Sequence, residues 1–113
     1  MVKTLDFNVI ESPKLTVVMR DDAKTTVNVV CPTEGLVEEL DKVQPRLAAA
    51  SQGDMESISL AYNLAAKLVS CNFEGRLFTV EELRGPCKWG LESLIIFYTH
   101  YIDFINGIVE QKN

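Results

Sequence analysis

The chain has 113 residues, 47% apolar and 24% charged, with 11 basic against 16 acidic side chains and a net charge of −5. This is the length and balance of one folded domain with a modest core, and it excludes the low-hydrophobicity class of disordered chains. The basic residues are scattered, so nucleic acid lacks the positive footprint that phosphate binding requires, and no nucleic-acid partner is expected.

The first residues contain no apolar run of the kind that begins a secretory signal. The most apolar segment, near the C-terminus, carries Glu92, His100, Asp103 and Asn106, each costly in hydrocarbon, and its polar edge is acidic where an interfacial helix would be basic. A cytoplasmic protein with no membrane partner is therefore expected. Cys31, Cys71 and Cys87 form no CxxC pair and no ligand spacing with histidine. They read as reduced thiols, Cys31 and Cys71 acting as small hydrophobes.

Taken in order, the first third alternates with period two and is rich in β-branched residues. Leu5, Phe7 and Val9 form one candidate strand face, Leu15, Val17 and Met19 a second, and Thr25, Val27 and Val29 a third. Asp21-Asp22-Ala23-Lys24 suits a four-residue hairpin loop, so Leu15–Arg20 and Thr25–Val30 should pair antiparallel. Beyond Pro32 the pattern becomes helical. Thr33 caps a helix with Leu36, Val37, Leu40 and Val43 on one face, and Pro45 kinks or splits it near Gln44.

Gly53 ends that helical region and Asp54 caps the next, from Met55 to about Cys71, with Ile58, Ala61, Tyr62, Ala65, Leu68 and Val69 on one face. Ala65 and Ala66 permit close approach of a neighbour, which marks this as the core helix. Asn72 and Gly75 offer left-handed backbone for its stop. Thr79-Val80-Glu81-Glu82 is a capping box opening a short helix that Gly85-Pro86 closes. The expected fold is α+β in a single domain spanning 1–113: a two- to three-stranded antiparallel sheet over 1–31, then four to five helices over 32–113, the last one long.

Catalytic constellations are nearly empty. The one histidine, His100, lies a helical turn before Asp103, close enough to share a hydrogen bond, but no spacing joins it to Ser93 or Cys87 in a triad. It reads as a surface or interface histidine. Asp21 and Asp22 fit a turn, Glu38, Glu39 and Asp41 a solvated helix face, and Glu81 and Glu82 the first turn of a helix, where negative charge complements the dipole. Pro32-Thr33-Glu34-Gly35 pairs one glycine with an acidic neighbour, the opposite of a phosphate cradle. No enzyme, cofactor or metal is expected.

The terminal helix, Leu91 to Val109, carries more apolar surface than a small domain needs to bury. Leu91, Leu94, Ile95, Tyr98, Ile102, Ile105 and Val109 make one stripe; Phe97, Tyr101, Phe104 and Ile108 make another. Glu92, Thr99, Asp103, Asn106 and Glu110 form the polar seam. The first stripe is assigned to the core. The second, Phe97, Tyr101, Phe104 and Ile108, is assigned to another protein, because aromatic side chains anchor interfaces and a small sheet with two helices covers only one side.

The chain resembles the tail assembly chaperones of long-tailed bacteriophages and of prophages in Gram-positive bacteria. The resemblance is carried by Leu5-Asp6-Phe7, Val29-Val30-Cys31-Pro32-Thr33, Gly35-Leu36-Val37-Glu38-Glu39-Leu40, Tyr62-Asn63-Leu64-Ala65-Ala66-Lys67-Leu68 with Cys71-Asn72, Glu81-Glu82-Leu83 and Tyr101-Ile102-Asp103-Phe104-Ile105. These are packing and capping motifs, and no contact residue transfers individually. The resemblance implies a non-enzymatic cytoplasmic factor that binds the tape-measure protein, keeps its hydrophobic helices soluble, helps recruit tail-tube subunits and leaves before the virion is finished. It also implies a frameshifted longer form, this chain corresponding to the short one. The alternative reading is a structural tail component, or a homo-oligomeric adaptor or regulatory protein, in which the same helix pairs with its own copy.

Overall fold

In the computed structural model the structure describes residues 12–110. The expected strand around Leu5, Phe7 and Val9 lies outside the described residues. Among those described, β1 (Leu15–Val18) and β2 (Thr26–Val29) form a two-stranded antiparallel hairpin in which Leu15 faces Val29 and Val17 faces Val27. Period-two alternation puts Leu15, Val17, Val27 and Val29 on the inner face, with Met19 continuing it beyond the end of β1. The turn is closed by the Asp21 carboxylate, which accepts from the backbone N–H and the hydroxyl of Thr25.

Five α-helices follow, consistent with the α+β expectation: α1 (Glu34–Val43), α2 (Leu47–Ser51), α3 (Met55–Ser70), α4 (Val80–Arg84) and α5 (Leu91–Glu110). The split at Pro45 takes the form of a 3-10 turn, Gln44–Arg46, between α1 and α2, since proline cannot donate the next helical bond. Thr33 caps α1, Asp54 caps α3, and the Thr79–Glu82 capping box opens α4, each at the position its side chain predicts. Gly53 adopts φ +96°, which releases the chain from α2 into the Asp54 cap.

After α3, Gly75 takes the expected left-handed backbone, while Asn72 works through its side chain. Its amide donates to the carbonyls of Val69 and Arg76 and accepts from Arg76 N–H, so one residue organises the α3–α4 loop. That loop is tied to the hairpin: Val29 and Asn72 form a β-bridge, and both carboxylate oxygens of Glu74 accept from Asn28 at 2.8 Å. The cysteines divide differently from the expectation. Cys87 is buried and its thiol is pushed above its ordinary pKa by desolvation, Cys71 is half-buried, and Cys31 is exposed because the chain leaves the hairpin there.

The core is a single cluster in which α3 contributes Ala61, Tyr62, Leu64, Ala65, Leu68 and Val69, and α5 contributes Leu94, Phe97, Tyr98 and Tyr101. Two buried tyrosines cross-link these layers. Tyr98 donates to the carbonyl of Ala61 at 2.7 Å, and Tyr62 donates to the carbonyl of Trp89 at 3.0 Å. The Tyr101 hydroxyl is also buried, but has no hydrogen-bond partner among the described residues.

Two outcomes follow from these contacts. Tyr98→Phe removes the buried hydrogen bond from the hydroxyl to the Ala61 carbonyl and should cost about 1 kcal/mol, whereas Tyr101→Phe removes an unpaired hydroxyl and should be neutral or slightly stabilising; urea unfolding of the two variants compares them. Hydrogen bonds from Thr25, Ser57 and Asn28 hold Asp21, Asp54 and Glu74 below their ordinary pKa values. A lowered folded-state pKa means the unfolded chain binds more protons, so this contribution is complete above the ordinary carboxylate range and is lost as pH falls through the folded values. The melting temperature should therefore hold between about pH 7 and 5 and fall below about pH 4.

Candidate partner-binding groove

The side of α5 that faces the hairpin is set by helical spacing: Ser93, Ile96, Phe97 and His100 fall at i, i+3, i+4 and i+7. Just before α5, Lys88 adopts φ +59° and the Trp89 N–H donates to the Leu83 carbonyl at 2.8 Å, which turns the indole under the helix. Trp89 and Phe97 meet with ring centroids 5.2 Å apart at an interplanar angle of 44°. Between this aromatic pair and β1 runs an open groove of about 310 Å³.

Phe97 and Trp89 are buried at its base, Leu15 and Val17 are half-buried, and Val18 and Ile96 stand at the rim with 55% and 44% of their surface exposed. The polar lining is Thr16, Arg20, Ser93 and His100, and no carboxylate lines the groove among the described residues. Ser93 and His100 lie two helical turns apart, about 10 Å along the axis, so they do not make a nucleophile–base pair. No group of acidic, cysteine or histidine side chains suited to a metal occurs among the described residues. Chemically the groove is an apolar cleft with a guanidinium at its edge.

A second, smaller groove of about 240 Å³ lies on the opposite flank of α5, against Leu47, Ala48 and Ser51 of α2. Ile95, Tyr98, Thr99 and Ile102 line it from α5. None of the described helices is long and apolar enough to cross a membrane. His100 and Asp103 are both exposed, and the hydrogen bond their spacing allows is not formed.

The structure divides the stripe that the sequence assigns to a partner. Phe97 and Tyr101 are 6% and 0% exposed and belong to the core, while Phe104 and Ile108 are half-buried, Phe104 packing on Tyr101 with centroids 6.1 Å apart. The assignment of Phe97 and Tyr101 to an outside surface is therefore corrected. The reason is geometric: α3, α2 and the Trp89 turn cover more than one stripe of α5, so both Leu94/Tyr98 and Phe97/Tyr101 are covered from within. Ile102, given to the core, is only half-buried.

Among the described side chains of α5, the large apolar residue that is exposed is Ile96, which fits neither stripe, and that misfit was the available signal. No periodicity marks Val18, Arg20 and Trp89 as its neighbours, because they come from distant parts of the chain. No protein-family model, curated protein or solved structure matches the chain.

The corrected placement has a direct test. Tyr101→Ser should destabilise the fold by about 3–5 kcal/mol, as loss of a buried aromatic side chain does, whereas Ile96→Ser should change stability by no more than about 0.5 kcal/mol. Thermal melts of the two variants read the difference.

Proposed function

We propose that this protein is a tail assembly chaperone of a long-tailed phage or prophage, acting without catalysis in the bacterial cytoplasm. In this reading it holds apolar helical segments of the tape-measure protein, and contacts tail-tube subunits, until the tail assembles. The observation that carries the reading is the rim of the β1–α5 groove. Val18 and Ile96 stand outside the core cluster, and both are exposed where they line the same open apolar cleft. Contiguous exposed apolar surface of this kind marks interaction sites, and its openness favours reversible contact with a side-chain ridge over enclosure of a small molecule.

The resemblance in the packing and capping motifs supports the same assignment, and the alternative of a structural tail component or homo-oligomeric adaptor uses the same surface differently. Co-expression decides between them. With this protein present, a phage tape-measure protein should move from the insoluble to the soluble fraction and co-purify with it, and finished particles should lack it. An unchanged insoluble fraction overturns the chaperone reading, and recovery of the protein in purified virions assigns it to the tail structure.

A further inference from the structure

The groove differs in charge from the rest of the molecule. The chain has 16 acidic side chains and a net charge of −5, yet the groove presents Arg20 and His100 and no carboxylate among the described residues. Arg20 is exposed at the end of the apolar lining, with no carboxylate within ion-pair distance among the described residues. On the opposite wall Ile96 and His100 are one helical turn apart, the spacing at which the ridge of a second helix seats. The volume of about 310 Å³ is at the small end of ligand sites and suits a few aliphatic side chains.

We propose that the β1–α5 groove selects amphipathic helices whose apolar ridge is flanked by a carboxylate, the ridge entering between Val18 and Ile96 and the carboxylate pairing with Arg20. This rests on the chaperone reading and adds to it a rule for which helices are held. Helix-in-groove recognition takes its affinity from apolar anchors at i, i+3, i+4 and i+7 and its discrimination from the charges at the edge. A guanidinium at the edge of the groove also favours carboxylate over other flanks because its planar fork donates to two oxygens at once.

Trp89 is the one tryptophan of the chain and lines the groove, so its fluorescence reports occupancy directly. The full chain is titrated with two synthetic helical peptides sharing an Ile/Leu ridge, one flanked by Glu and one by Lys. The Glu peptide should bind about threefold to tenfold tighter, as a partly exposed ion pair allows. Arg20→Glu should reverse the preference. Ile96→Glu should weaken both peptides by roughly tenfold or more, as loss of an interface anchor does, with an unchanged melting temperature.

Equal binding of the two peptides, or insensitivity to Arg20→Glu, overturns the proposal. So does a concentration-dependent dimer that Ile96→Glu abolishes, which gives the groove to a second copy. Tighter peptide binding after Leu5, Phe7 and Val9 are changed to Ser gives it to the chain's own first residues, and binding of anionic phospholipid vesicles in place of peptide gives it to a lipid surface. The two readings fail separately. Capture of the tape-measure protein undiminished by Arg20→Glu and Ile96→Glu rejects the groove alone, and peptide binding without tape-measure capture rejects the chaperone reading alone.

Discussion

The packing of α5 on α3 is the contact on which the rest of the structure depends. Ala61 and Ala65 bring the two helix backbones close, and the Tyr98 and Tyr62 hydroxyls then satisfy the Ala61 and Trp89 carbonyls across the seam. A buried tyrosine contributes both a large apolar body and a directed hydrogen bond. Such pairs fix the rotation and register of one helix on the other in a way that apolar area alone does not, because a slip of one residue would leave both hydroxyls unpaired in the core. Burial correspondingly pushes the Tyr98 and Tyr101 phenols above their ordinary pKa.

Once that rotation is set, the groove follows. Tyr98 directed at α3 carries Phe97 toward Trp89 and leaves Ile96 on the outward flank, facing β1. The hairpin is held beside α5 by separate contacts, the Val29–Asn72 bridge and the Asn28–Glu74 pair, which anchor it to the α3–α4 loop. Two independently anchored elements thus approach each other without closing. The cleft between them is a by-product of how each one packs elsewhere, and this is how a small domain with a complete core can still present an apolar surface.

Such a surface suits transient holding. It offers a few apolar contacts beside one strong cation, less than a permanent interface buries, which is what the proposed holding of an unassembled helix would require. Among the described residues nothing in the groove pairs a nucleophile with a base, and its walls are aliphatic and aromatic side chains. The chaperone reading and the charge rule for its clients both rest on this one place in the fold.

The local structure was legible from the residues. The hairpin around Asp21–Lys24, the break at Pro45, the Asp54 cap and the Thr79–Glu82 capping box all appear where expected, since each is decided by interactions within a few residues. That α5 carries surplus apolar surface was legible too. Which of its faces meets solvent was not: Phe97 and Tyr101 are as apolar in a stripe that faces a partner as in one that faces the core, and helical period distinguishes faces without ranking them. The sequence by itself therefore determined the elements, their ends and the excess of apolar surface, all local properties of the chain. Only the tertiary structure decided that Phe97 and Tyr101 are core and that Ile96, Val18 and Arg20 share a groove, because burial depends on which distant segments arrive at a face.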